Sequence, residues 1–265
     1  MIHELANVDA SAEVHPEAQI AAFATVGADV RIGARTVVQA NAVIMPGSRI
    51  GEDCRIYPGA IIGAEPQDLK FVGEYSTIEI GDRTTVREYC TLNRGTAAAG
   101  TTKIGSDCLI MAYVHVAHDC VIADKVVIAN SVNLAGHVEI DYHATVGGMT
   151  GIVQFCKVGA QAMVAGGILV RKDVPPFATV ARQPAQFMGV NRIGLRRRDF
   201  TAEQMAAAEQ AYKYLYGSGM SRAEAISAIE ATSTRPDITD VIVEFVRRST
   251  QGIVRGRTGA AIVAE

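Results

Sequence analysis

Four of the six histidines lie between positions 115 and 143: His115, His118, His137 and His143. Imidazole ionises near neutral pH, so a placed histidine can take a proton from a hydroxyl and later return it. His118 is followed by Asp119, whose carboxylate could orient the ring. Eighteen residues on stands Gly136, and eighteen further Gln154. If residues 18 apart lie above one another, these form a column, with His137 beside it. Gly136 would then offer a backbone N–H to an anion, completing a base, a carboxylate and an oxyanion donor. The rival chemistry is zinc, which needs three converging imidazoles. Position 154 is Gln, so neither a metal nor another cofactor is expected. The remaining alternative is an ordinary solvated polar face.

The spacing of 18 comes from the elements that must carry these residues. Stepping by six from Val8 to Val170 visits 28 positions, and 25 of them are Val, Ile or Leu. The exceptions are Asp68, Glu74 and Ala98. Gly often follows the aliphatic residue, as at Gly33, Gly51 and Gly81. A slim residue stands four positions after it, as at Ala18, Thr36, Ser48 and Ala60. One large and one slim inward residue in every six describe a short strand plus a corner. Three such units close a triangular turn, and stacked turns give three parallel sheets. The period does not fix the hand of the coil.

All five cysteines, at 54, 90, 108, 120 and 156, occupy the slim inward slot, where a thiol behaves as a small hydrophobe. Cys90 and Cys108, 18 apart, are expected to be neighbours on adjacent turns. The repeat lapses at 63–79 and 93–103, which read as loops thrown out from a shaft, the second small and flexible. After Asp173-Val174-Pro175-Pro176 a link runs to about Asp199. Capping boxes at Thr201–Gln204 and Ser221–Glu224 open two helices, and a third is expected from about Asp237. The tail from Gly252 is expected to fray. The division is a β-helix over 1–190 and a helical domain over 191–265.

The chain of 265 residues has a net charge of -3, which argues against a general nucleic-acid binder. It shows neither a signal peptide nor an apolar run long enough to span a membrane, so a cytoplasmic protein is expected. Trp is absent and aromatics are 6% of residues, so the core must be aliphatic and thin-layered.

Several segments together carry a family likeness: His115-Val116-Ala117-His118-Asp119, Pro66-Gln67-Asp68-Leu69-Lys70, Ala135-Gly136-His137, Gln154-Phe155-Cys156, and Asn191 with Leu195-Arg196-Arg197-Arg198. In these the chain resembles the UDP-N-acetylglucosamine acyltransferases, over essentially its whole length. The resemblance implies a left-handed parallel β-helix of hexapeptide repeats with a small C-terminal helical domain, assembled as a homotrimer. It implies transfer of an (R)-3-hydroxyacyl chain from an acidic acyl carrier protein to UDP-N-acetylglucosamine, the first step towards lipid A. His118 would be the general base, Asp119 its partner and Gly136 the oxyanion donor. Asp68, Lys70, His115, His137 and Gln154 would contact substrate, Asp68 and Lys70 from a neighbouring subunit. Asn191, Arg197 and Arg198 would serve the nucleotide. Met163 and Gly166 would lie along the acyl groove, with Gly166 at its far end. Arg171, Lys172, Arg182, Arg192 and Arg196 to Arg198 could attract the carrier. The chain departs from the family pattern at Val153, where relatives often have His, and at Ile193, where they often have Glu. An N-acyltransferase of the same pathway is the nearest alternative, but it carries an extra N-terminal domain, and here the repeat begins by Val8.

Overall fold

The structure, a computed structural model, describes residues 1–256. Its shaft is a left-handed parallel β-helix of short strands, most of them two residues long. Successive strands visit three sheets in rotation. The first sheet begins at Asn7–Val8 and has nine strands, the second begins at Glu13–Val14 and has eight, and the third begins at Gln19–Ile20 and has ten. The aliphatic steps point inward: Ile44, Ile56, Ile62, Ile110, Ile128 and Leu134 are fully buried. The slim slots Ala18, Thr36, Ser48, Ala60, Ala144 and Ala162 close the corners between them. Burying each large aliphatic side chain stabilises the shaft by about 1.5–3 kcal/mol.

The corners recur in one conformation. The third residue after each aliphatic step usually has a positive φ, and many of these are not glycine, among them Phe23, Arg35, Asp53, Tyr113, Asp119 and His137. This left-handed conformation costs roughly 1 kcal/mol per non-glycine residue. It aims each such side chain off one of three edges of the prism, so each edge has its own chemistry. The third-to-first edge carries exposed Phe23, Tyr89, Tyr113 and Met149, with Tyr89 and Tyr113 stacked at 5.3 Å. The second-to-third edge carries a ladder of charges, with Arg35 on Asp53 and Arg83 on Asp107. The first-to-second edge carries Asp119, His137 and Phe155.

Both loops leave the shaft at that first-to-second edge. One joins Ile61–Ala64 to Thr77–Ile80, the other Thr91–Asn93 to Thr101–Ile104. They lengthen the local turn: Ile62 pairs with Leu92 and Leu92 with Val116, whereas Val116 pairs with Leu134 at the ordinary 18. The expected Cys90–Cys108 contact therefore fails. Thr91 pairs with His115 and Thr85 with Leu109, so Cys90 lies under Val114 while Cys108 sits on Thr84, at another corner. All five cysteines are buried and free. Burial pushes the Cys90, Cys108 and Cys156 thiols up to about 11 and Cys120 up to about 12.

The link after the repeat is more ordered than its sequence suggests. Ala178–Ala181 continues the third sheet over Met163–Val164, and Gln186–Val190 returns antiparallel to it. Helix α1 (Arg192–Arg196) follows, then α2 (Ala202–Gly217), α3 (Arg222–Thr232) and α4 (Pro236–Arg248). Both capping boxes form as expected. Tyr212 of α2 is buried against Phe187 and donates its hydroxyl proton to the Pro176 carbonyl, which seats the helices on the end of the shaft.

The expected fraying of the tail is not observed through residue 256. Ile253 bridges to Asp173 and Arg255 to Gln186, and Val254 is buried. The fully buried Asp173 carboxylate accepts from the Lys157 amide and from the Ser249 hydroxyl, and so clasps the tail to the shaft. Residues 257–265, the rest of that expected frayed tail, lie outside the described residues.

Candidate active site

His118 and Asp119 follow the strand His115–Val116 and form the corner that leads to Val121–Ile122. An ordinary solvated polar face is ruled out for this pair, since His118 is only 6% exposed and Asp119 only 4%. The loops that leave this edge close over them. His118 Nδ1 lies 2.8 Å from Asp119 Oδ2. Facing a carboxylate, Nδ1 carries the proton, and Nε2 is left as an acceptor. The ring lies over Gly136, where a Cβ would come within 2.7 Å of Nε2. Glycine therefore leaves the ring its place, and any side chain there would push it aside. The Ala135 and His137 amides donate to Ile152 and His118 carbonyls in the ladder, and the Gly136 amide lies between them.

Asp119 is held firmly. Its Oδ1 accepts from the Thr96 amide at 2.9 Å, its Oδ2 from the Thr96 hydroxyl at 2.6 Å, and its own amide donates to the Thr102 hydroxyl. Burial alone would push the carboxyl up. The hydrogen bonds from Thr96 and His118, with His137 nearby, outweigh it and hold the carboxyl below its usual range. His137 Nε2 stands 3.6 Å from the same oxygen, with its ring edge-on to His118 and stacked on Phe155 at 4.7 Å. His118, Asp119 and His137 bring three potential metal donors within 4.8 Å. Asp119 already accepts from Thr96 and His118, and that pattern suits a carboxylate that orients a base.

A groove of about 860 Å³ runs along the first sheet beside this corner, lined by His115, His118, Gly136, Val153, Gln154 and the loop residues Gln67 to Lys70. Burial holds His115 below the usual imidazole range, and its Nδ1 lies 2.8 Å from the Thr91 hydroxyl. Asp68 and Lys70, expected from a neighbouring subunit, line this chain's own groove, and Asp68 accepts from the Lys70 amide.

The other expected site residues are elsewhere in the same chain. Met163 is on the third sheet, and exposed Gly166 is at the third-to-first edge, where a Cβ would meet the Gly148 carbonyl at 2.8 Å. Asn191 is buried as the cap of α1: its Oδ1 accepts from the Gly194 amide and its Nδ2 donates to the Gln161 carbonyl. Arg198 donates to Gln161 Oε1 at 2.6 Å, and burial pulls its guanidinium below its ordinary value. Arg197 is exposed at the end of α1, as is Ile193 on the same helix. Arg192 is paired with Glu209, which removes one charge from the expected basic cluster.

The sequence reasoning missed Thr96, Thr102, Thr91 and Phe155. Phe155 was one step from detection, being His137 plus 18. Thr96 lies in a loop whose fold no period reports.

The description "Udp N-acetylglucosamine O-acyltransferase; Domain 2" matches residues 173–254, and the bacterial transferase hexapeptide family matches 29–64 and 101–136. The chain is 42% identical over 202 residues to an acyl-[acyl-carrier-protein]--UDP-N-acetylglucosamine O-acyltransferase of Thiobacillus denitrificans, covering 76% of this chain and 78% of that one. It is 44% identical over 211 residues to the enzyme of that name from Verminephrobacter eiseniae, covering 78% and 80%. Among solved structures it is similar to the UDP-N-acetylglucosamine acyltransferase of Bacteroides fragilis, with 43% identity, a TM-score of 0.95 and 96% and 100% of the two chains covered. The Francisella novicida enzyme of that description gives 36%, 0.94 and full coverage of both chains.

Proposed function

The chain belongs to the UDP-N-acetylglucosamine O-acyltransferase family, and on that premise we propose that it moves an (R)-3-hydroxyacyl chain from acyl carrier protein to the 3-hydroxyl of UDP-N-acetylglucosamine, opening lipid A synthesis. The observation that carries this is the His118–Asp119 pair packed over Gly136 at the head of a groove. His118 Nε2 takes the proton of the sugar hydroxyl as its oxygen bonds to the thioester carbonyl carbon. The tetrahedral oxyanion accepts from the Gly136 amide. Collapse breaks the C–S bond, and the proton on His118 passes to the departing thiolate of the carrier. Asp119 steadies the imidazolium between these transfers.

The same reading makes the protein a homotrimer. The third-to-first edge presents exposed aromatic side chains, which suit a threefold axis. With those edges on the axis, the first sheet of one protomer faces the third sheet of the next. The His118 corner of one would then look across a cleft to the third sheet of its neighbour, with Met163 on that sheet and Gly166 at its axial edge. Asp68, Lys70, His115, His137 and Gln154 would contact sugar and acyl group, Asn191 would set α1, and Arg197 and Arg198 would meet the pyrophosphate. The basic residues near the helical end would receive an acidic carrier protein. No helix among the described residues is long and apolar enough to cross a membrane, and a cytoplasmic location would suit a reaction that draws on a carrier protein. The shaft over 1–190 and the helical unit over 191–265 would act as separate domains, one for chemistry and one for the nucleotide.

The test is mass spectrometry of products from a panel of acyl carrier thioesters offered UDP-N-acetylglucosamine and its 3-amino analogue. The expected product is the 3-O-acyl sugar nucleotide. An acylated product formed only with the amino sugar would overturn the O-transfer assignment.

A further inference from the structure

Asp119 sits in a corner slot that on the second-to-third edge holds solvated charges, yet it is closed off from water by a residue of the second loop. Thr96 is itself buried, and both its amide and its hydroxyl donate to the Asp119 carboxylate. Its hydroxyl oxygen also accepts from the Ala98 amide, which fixes the rotamer. The next residue, Ala97, donates its amide to Glu74 Oε1 at 3.0 Å. Glu74 belongs to the first loop, where its Oε2 accepts from the Val72 amide. Four residues before Glu74, Lys70 lines the substrate groove. Gly95 and Gly100 are hydrogen-bonded to Thr77, so the second loop is also tied to the strand at which the first loop ends.

We propose that Thr96 is a positioning residue for the His118–Asp119 pair, and that Glu74 links it to the groove-lining loop so that both excursions act as one clamp. The proposal rests on the assignment of His118 as base. Two donors from one residue fix both oxygens of the carboxylate, and with them the direction from which Oδ2 meets His118 Nδ1. A hydroxyl is needed there. An aliphatic isostere would leave a buried oxygen short of one donor. The titratable groups facing Asp119 are His118 on its own turn, His137 on the next, Glu74 from the first loop and the Cys120 thiol beside it. Removing the Thr96 hydroxyl takes away one of the hydrogen bonds that hold the carboxyl below its usual range. Its protonation would then begin at a higher pH.

The experiment uses the full chain with acyl carrier thioester and UDP-N-acetylglucosamine. Thr96→Val is expected to lower kcat by roughly 10- to 100-fold with KM for both substrates unchanged. The acid limb of its kcat–pH profile should steepen at its low-pH end, where Asp119 now protonates as well as the base. Thr96→Ser should restore both rate and profile, which a role in packing alone would not predict. If Thr96→Val does not fold, Thr96→Ala carries the same expectation. Glu74→Ala should give a smaller fall in kcat together with a raised KM for the sugar nucleotide. A Thr96→Val enzyme with the parent rate and profile would overturn the positioning role, and an unaltered Glu74→Ala enzyme would overturn the link between loops. His118→Ala is run alongside: if it stays active, the base assignment fails instead.

Discussion

Two edges of the prism use the same corner geometry to opposite ends. On the second-to-third edge, Asp53 and Asp107 point into water and pair with Arg35 and Arg83. On the first-to-second edge, Asp119 occupies the equivalent slot with the same positive φ, but it is buried and bonded to His118 and Thr96. The backbone is the same in both. The difference is that both loops emerge at the second of these edges and exclude water from it. Exposed ion pairs in high dielectric contribute little, whereas an ordered carboxylate in a dry corner can orient a base.

The contrast sets an order of expected effects. His118→Ala should lose about 100- to 10,000-fold in kcat while its size-exclusion elution stays that of the parent protein. Retention of more than half the activity would put this edge on the same footing as the charged one. Gly136→Ala keeps its amide but pushes the base aside, and misplacing a catalytic group by about 1 Å should cost roughly 100-fold in kcat. The new methyl group would crowd the His118 ring at 2.6–2.7 Å, and a ring can turn aside where backbone could not. The melting temperature should therefore hold, and a collapse of stability with the rate would recast Gly136 as a fold residue.

Arg198→Ala should raise the KM for the sugar nucleotide about 10-fold and leave kcat nearly unchanged. Its guanidinium is already directed by Gln161. An unchanged KM would return it to the helix surface. Gly166→Met should move preference towards shorter donors, at about 0.8 kcal/mol, near fourfold, for each methylene the groove no longer buries. Because a Cβ there meets the Gly148 carbonyl, the melting temperature must be read beside the chain-length profile. Lost stability with unchanged preference would remove Gly166 from the groove end. Arg83→Ala, on the exposed ladder, should change neither kcat nor melting temperature measurably.

Most of the shaft was legible because each inward residue reports its own place. Val116, Leu134 and Ile152 repeat at 18 residues, so the column from His118 through Gly136 to Gln154 could be counted off. The count fails wherever a loop lengthens a turn. Cys90 and Cys108 obey the interval but not the geometry, and the loops happen to add multiples of six, so the grid of aliphatic residues lapses within them and resumes in phase. Thr96 was invisible for the same reason. Its partner is 23 residues away, a separation that depends on the loop's own path. The pairing of Ala178–Ala181 with Gln186–Val190 was missed because the hexapeptide signal had ended and neither segment alternates cleanly. The tail at 253–255 was missed because its order comes from Asp173, 80 residues before Ile253 in the chain.

The Asp173 clasp has a mechanical consequence. The helical unit is fastened to the shaft at its entry, through Tyr212 and Phe187, and again at its exit, through Ile253 to Arg255. The exposed segment Gly217-Ser218-Gly219-Met220 lies between these two fastenings. A protease that cuts there severs the covalent chain without releasing either piece. The fragment beginning near Met220 keeps its grip through the bridge to Asp173, and α3 and α4 still pack against α2. Limited proteolysis should thus give two bands on a denaturing gel and one species in a native column.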